Sequence, residues 1–229
     1  MAVDPVSERT VTIEVAAGQA IHGDLAVTER ARGMVLFAHG SGSSRHSPRN
    51  RSVAGELQGR GLATMLADLL TDAEERVDAR TGRHRFDIGL LADRLLAATR
   101  WLVQEPSTAH LPLGYFGAST GAAAALVAAA RMSDRVAAVV SRGGRPDLAG
   151  TALADVHAPT LLIVGGRDDV VLRLNEEALG ELRCVRDLVI VEGATHLFEE
   201  PGALDEVARL AGEWFVTHLE AAASRGGAP

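Results

Sequence analysis

One serine lies in a sequence pattern that is typical of an enzymatic nucleophile. Residues 117–121 read Gly-Ala-Ser-Thr-Gly, between an apolar run and an alanine-rich run. A sharp strand-to-helix turn of this kind favours flanking glycines, because Cβ atoms would clash there. The turn presents the serine hydroxyl at a helix N-terminus, where backbone N–H groups and the helix dipole stabilise a developing oxyanion. We therefore predict that Ser119 is a nucleophile; a tight turn without chemistry is the alternative.

A nucleophilic serine needs a base and a carboxylate that orients this base. His196 follows the last strand-like run, whereas other histidines lie in an N-terminal hairpin, before strands or on the closing helix. Asp168 and Asp169 follow the strand-like run at residues 160–164, and either could accept a hydrogen bond from the imidazole. The chain order Ser, Asp, His is that of hydrolases built on an α/β sheet. We predict Asp168 and His196 as the partners of Ser119, with Asp169 as the alternative acid.

A second glycine-rich loop could hold the oxyanion. Residues 39–44 read His-Gly-Ser-Gly-Ser-Ser, directly after an apolar strand. We predict that the backbone N–H groups of Ser41 and Thr120 form the oxyanion hole, with Gly40 as the alternative donor in the first loop and a candidate substrate contact. His39 is interpreted as a hydrogen-bonded scaffold residue rather than a second base.

Two basic segments are expected near the same edge of the sheet. They are residues 45–51, with three arginines, and residues 141–146, with Arg142 directly after a strand. Arginine recognises anionic groups well, so Arg142 is a candidate substrate-binding residue. Salt bridges to the acidic surface, or capping of helix ends, are the alternative for both segments.

Strand-like and helix-like runs alternate along the chain and predict the fold. Strands are expected at residues 34–38, 62–67, 113–116, 136–140, 160–164 and 188–191, and helices at 52–60, 87–103, 121–131, 175–182 and 201–220. Residues 10–15 and 21–27 predict an N-terminal antiparallel hairpin. This order indicates an α/β fold with a mostly parallel, doubly wound sheet, whose ligands bind beyond the carboxyl ends of the strands. About 20 residues between the strands ending at 140 and starting at 160 exclude a large lid.

The composition of the chain indicates its domain organisation, its location and the kinds of partner it can have. The 229 residues carry a net charge of −7 and one cysteine, Cys184. We expect a single domain over residues 1–220 and a disordered tail at 221–229. The negative charge argues against a nucleic-acid partner, and no apolar run reaches the ~20 residues of a membrane span. A cytoplasmic protein without metal or cofactor is expected; the oligomeric state cannot be read from the sequence.

The four glycine-containing segments together resemble the α/β-hydrolase superfamily. They lie at residues 39–42, 117–121, 165–168 and 193–196, and the family's Gly-x-x-Asp turn favours Asp168 as the acid. Residues 83–88 before a helix are similar to the small proteins grouped with dienelactone hydrolases. Dienelactone hydrolases proper carry a cysteine where this chain has Ser119, which favours ordinary ester chemistry over a dienelactone substrate. The resemblance implies a serine hydrolase that cleaves small carboxylic esters through an acyl-enzyme. A catalytically silent binding module, an acyltransferase or a perhydrolase are the alternatives.

Overall fold

The computed structural model describes residues 6–226, and these contain an eight-stranded sheet with the order β1-β2-β4-β3-β5-β6-β7-β8. The strands β1 and β2 form an antiparallel hairpin, β2 pairs antiparallel with β4, and every later pairing is parallel. The predicted fold class is therefore confirmed. The strands are β1 Val6–Ala16, β2 Gln19–Thr28, β3 Met34–Ala38, β4 Ala63–Ala67, β5 Leu113–Ala118, β6 Val136–Arg142, β7 Thr160–Gly165 and β8 Arg186–Val191.

The central strands form because their side chains are apolar on both faces. Every residue of β3, β4, β5 and β7 is buried. Side chains alternate along a strand, so Met34 and Leu36 pack into one hydrophobic cluster, and Val35 and Phe37 pack into another on the opposite face. Helices cover both faces, as a parallel sheet requires.

Six α-helices and one 3-10 helical segment occur within residues 6–226. They are α1 Pro48–Gly59, α2 Asp72–Thr81, α3 Ile88–Leu102, α4 Thr120–Arg131, the 3-10 segment Pro146–Asp155, α5 Asp169–Glu181 and α6 Ala203–Gly226. The helices α1 and α6 pack together on one face. On the other face α4 lies against α3 and the 3-10 segment, and its alanines allow close approach to the sheet. The connection from β6 to β7 thus holds only the 3-10 segment, without a large lid.

Several predicted boundaries differ from the structure. The helix α1 starts four residues earlier than expected, with the side chain of Ser47 capping it and Pro48 in its first turn. Residues 221–226, expected as a disordered tail, form the last turns of α6, because the alanines at 221–223 favour a helix. Residues 227–229, the rest of that predicted tail, lie outside the described residues. No helix among residues 6–226 combines the length and the apolarity that crossing a bilayer requires.

Candidate active site

Ser119 occupies the turn between β5 and α4 in an unusual backbone conformation. Its φ is 50° and its ψ is −122°, and it is one of two non-glycine residues with positive φ among the described residues. The Ser119 N–H donates to the carbonyl of Arg142 at 3.3 Å, and the Ser119 carbonyl accepts from the N–H groups of Ala122 and Arg145, both at 3.1 Å. Backbone hydrogen bonds with α4, with β6 and with the residue before the 3-10 segment therefore hold the turn in place.

The glycines on either side of this turn are required by close backbone contacts. A Cβ atom on Gly121 would lie 2.3 Å from the carbonyl oxygen of Ala38 and 2.4 Å from that of His39. A Cβ atom on Gly117 would lie 2.4 Å from the Cα of Ala122. Each distance is far below van der Waals contact, so only glycine lets α4 start this close to β3 and β5.

The structure brings His196 and Asp168 together. The two loops that follow β7 and β8 place the His196 Nδ1 at 2.6 Å from the Asp168 Oδ2. Donation of the Nδ1 proton to this carboxylate leaves Nε2 as a proton acceptor. The other Asp168 oxygen accepts from the Val171 N–H at 3.5 Å, which caps α5. Asp169, the alternative acid, is the first residue of α5 and makes no hydrogen bond with His196.

Ser119 and His196 line one cavity of about 260 Å³ at the carboxyl ends of the strands. Among the described residues, the imidazole hydrogen-bonds only to Asp168, and the Ser119 hydroxyl makes no hydrogen bond with it. Catalytic hydrogen bonds are often long before substrate binds. The His196 side chain is 41% exposed, whereas the Asp168 side chain is 15% exposed. The cavity is lined by Gly40, Ser41, Ser43, Ser47, Arg49, Asn50, Ala118, Ser119, Arg142, Gly143, His196 and Leu197.

The loop after β3 lies against the serine turn. Gly40 and Ser41 line the cavity, and a Cβ atom on Gly40 would lie 3.0 Å from the Ser119 Cβ. Thr120 is the first residue of α4, so its N–H has no acceptor within the helix. The oxyanion hole at the Ser41 and Thr120 N–H groups stays a prediction.

The buried side chain of His39 stabilises this loop through two hydrogen bonds. Its Nε2 accepts from the Leu69 N–H at 3.1 Å, so its Nδ1 carries the proton and donates to the Gly40 carbonyl at 2.9 Å. Burial lowers the pKa of His39, which keeps the ring neutral and suited to this pair of bonds. The arrangement agrees with the scaffold interpretation.

Several residues around the cavity were not predicted. Asn50 lines it from the first turn of α1, and Leu197 lines it beside His196. Phe198 has a φ of 56° and lies under the Arg142 guanidinium, 5.9 Å from the ring centroid. The Pro48 helix start could have indicated Asn50, whereas no local sequence signal marks Phe198. Among residues 6–226, no three His, Cys, Asp or Glu side chains are grouped as metal ligands.

Comparison with known proteins gives one family match. The Dienelactone hydrolase family matches residues 25–221. A Mycobacterium tuberculosis protein named putative phosphoribosyl transferase is 60% identical over 212 residues, which are 92% of this chain and 47% of that protein. The chain therefore spans about half the length of the curated relatives it matches first.

Solved structures agree on the fold. The crystal structure of a dienelactone hydrolase from Anabaena variabilis has a TM-score of 0.91 and 59% identity, covering 93% of this chain and 99% of that one. Est1E from Butyrivibrio proteoclasticus has a TM-score of 0.74 and 15% identity, covering 91% of this chain and 98% of that one. The second likeness concerns the fold alone.

Proposed function

Because this chain belongs to the dienelactone hydrolase family, we propose that it is a serine hydrolase that cleaves carboxylic esters through an acyl-enzyme on Ser119. One observation carries the proposal: Ser119, in its positive-φ turn, and His196, which is hydrogen-bonded to Asp168, line a single cavity. A base that is oriented by a carboxylate and shares a cavity with a serine hydroxyl is the arrangement that nucleophilic catalysis requires.

In the proposed mechanism, the Ser119 oxygen attacks the ester carbonyl while His196 Nε2 takes the hydroxyl proton. Asp168 accepts the Nδ1 hydrogen bond and stabilises the imidazolium that forms. The N–H groups of Ser41 and Thr120 hold the oxyanion, and each contributes roughly 3 kcal/mol to lowering the barrier. His196 then gives the proton to the leaving alcohol. Water next attacks the acyl-enzyme with His196 again as base, the bond between the acyl carbon and the Ser119 oxygen breaks, and the proton returns to Ser119 as the acid leaves.

A fluorophosphonate probe and a panel of 4-nitrophenyl esters test this proposal. The wild-type protein should be labelled and should hydrolyse at least one ester, and Ser119→Ala should lose both properties. Ser52→Ala is the matched control, because Ser52 is exposed on α1. Continued labelling or turnover by Ser119→Ala would show that another residue is the nucleophile.

The choice of acid can be tested with a neighbouring pair of variants. Asp168→Asn should lower kcat by about 10²- to 10⁴-fold, because the imidazole loses the carboxylate that orients it. Asp169→Asn should change kcat little, because Asp169 makes no hydrogen bond with His196. The reverse order would reassign the acid to Asp169.

The name of the M. tuberculosis relative raises phosphoribosyl transfer as another activity. We assign that activity to the half of the relative that this chain does not match, because the matched half corresponds to a hydrolase family. Incubation of this chain with phosphoribosyl diphosphate and a purine or pyrimidine base should give no nucleotide, and nucleotide formation would contradict this assignment.

A further inference from the structure

The cavity contains a buried arginine that has no counter-charge. Arg142 is the last residue of β6 and is only 7% exposed. Its Nη2 donates to the Asn50 Oδ1 over a long 3.4 Å, whereas its Nε and Nη1 have no hydrogen-bond partner among the described residues. Removing a charged group from water without a partner is costly, so an uncompensated guanidinium in a cavity wall is suited to binding an anion.

A second arginine lies in the wall of the same cavity, where a solvent-exposed carboxylate partly neutralises it. Arg49 lines the same cavity, and its Nη1 binds the carboxylate of Glu199, which is 64% exposed. Burial, and to a smaller extent the charge of Arg49, lower the pKa of Arg142 to about 10, so Arg142 remains charged at neutral pH. Arg49 and Asn50 belong to the first turn of the twelve-residue α1. This turn contains no acidic residue, and the helix dipole also favours an anion at this end.

Other arginines of the two basic segments are neutralised. Arg51 binds Asp24 at 2.5 Å, and Arg145 donates to both carboxylate oxygens of Asp147 at 2.8 and 2.7 Å. For these residues the salt-bridge interpretation of the sequence holds. Arg142 differs because no described carboxylate lies within salt-bridge distance of it.

The position of Arg142 connects this charge to the proposed chemistry. It pairs with Ala118 across the β5–β6 ladder, and its carbonyl accepts the Ser119 N–H. We propose that the cavity takes small esters that carry an oxyanion, a carboxylate or a phosphate, and that Arg142 is the residue that selects them. This inference rests on the serine hydrolase function proposed above. It deepens that function by naming a substrate class.

Matched esters test the selection. Mono-4-nitrophenyl adipate carries a carboxylate, and 4-nitrophenyl hexanoate is its neutral counterpart of the same chain length. The 4-nitrophenyl ester of 5-phosphonopentanoate shows whether a phosphate-like group is preferred to a carboxylate. The wild-type kcat/KM for one of the anionic esters should exceed that for the hexanoate by about tenfold or more. Added salt should reduce this ratio, because part of the attraction is electrostatic.

Substitutions assign the selectivity to a residue. Arg142→Met should lower the anionic-to-neutral ratio by roughly 10- to 100-fold, because a charge-assisted hydrogen bond is lost. Arg142→Lys keeps the positive charge and should retain part of the ratio. Arg145→Gln is the matched control, since its guanidinium is already paired, and it should leave the ratio unchanged. Thermal unfolding of each variant checks that the fold is intact.

A binding measurement separates this inference from the proposed function. Calorimetric titration of Ser119→Ala with adipate and with 5-phosphonopentanoate needs no turnover, and binding should weaken at least tenfold when Arg142→Met is added. If no ester is hydrolysed, the serine hydrolase proposal fails and this titration alone decides the anion site. If esters are hydrolysed with a ratio near one, or with a ratio that Arg142→Met does not change, the anion site is refuted and the hydrolase proposal stands.

Discussion

The Ser119 turn should store measurable strain that glycine would release. At a φ of 50° and a ψ of −122°, a Cβ atom costs about 1–3 kcal/mol, whereas glycine adopts this region freely. A glycine variant is in turn less stable by about 0.5–1 kcal/mol, because glycine gives the unfolded chain more conformational entropy. The Ser119 side chain makes no capping hydrogen bond, so its removal sacrifices no such contact. We therefore expect Ser119→Gly to be more stable than Ser119→Ala by about 1 kcal/mol.

Thermal and chemical denaturation of the two variants measures this difference. For a protein of this size, 1 kcal/mol corresponds to about 2–4 °C in Tm. The same pair of substitutions at Ser52, in the exposed part of α1, is the control. There the order should reverse, and Ser52→Ala should be more stable than Ser52→Gly by about 1 kcal/mol. If Ser119→Gly is no more stable than Ser119→Ala, the backbone strain inferred from the positive φ is refuted.

Three further predictions concern the residues that support the site. Burial lowers the pKa of His39 in the folded protein, so the unfolded chain binds the proton at a higher pH than the folded chain does. The stability that neutral His39 contributes should therefore be complete above about pH 6.5. Below that pH it should decrease by up to about 1.4 kcal/mol per pH unit. Urea titrations at pH 7 and pH 5 should show a smaller loss for His39→Gln than for wild type, and an equal loss would contradict the assignment. Tyr115→Phe should lower the free energy of unfolding by about 1–3 kcal/mol, because the buried Thr99 hydroxyl loses its hydrogen-bond partner at 2.6 Å. Adding Thr99→Val should recover part of this loss. Additive losses from the two substitutions would argue against the pairing. Gly121→Ala should destabilise by about 3 kcal/mol or more, since the new carbon would meet the Ala38 carbonyl, and a near-normal Tm would refute that contact.

The parallel part of the sheet could be predicted from the sequence because it is buried on both faces. A strand covered on both faces must be a continuous apolar run, so β3, β4, β5 and β7 stand out in the sequence. Once the strands are located, the rule that ligands bind beyond their carboxyl ends leaves few candidate loops. The same rule led to Ser119 and His196, which line one cavity in the structure.

The helix α2 was not predicted because it lacks an apolar stripe. Asp78 is its one buried residue, so periodicity of hydrophobic residues gives no signal. Its ends nevertheless carry readable signals. Thr71 and Glu74 form a capping box, and Gly82 ends the helix in the left-handed conformation. For such a polar helix, the capping residues are the informative part of the sequence.

The burial of Arg142 could not be predicted for a different reason. The sequence places it after an apolar strand, where an arginine is usually exposed, but β6 continues through Ser141 and Arg142. Whether a guanidinium has a counter-charge depends on which residues from distant parts of the chain pack against it. For Arg142 this residue is the neutral Asn50. The sequence therefore left the substrate-binding and salt-bridge interpretations open.

Three energetically unfavourable features lie around one cavity. Ser119 and Phe198 are the two non-glycine residues with positive φ in the described part of the chain, and Arg142 is a buried charge without a counter-charge. Arg142 touches both of the others, through its carbonyl to the Ser119 N–H and its guanidinium over the Phe198 ring. Each of these features costs stability, and stability alone would favour its removal. Their concentration beside the His196–Asp168 pair is what the proposed chemistry at this site leads us to expect.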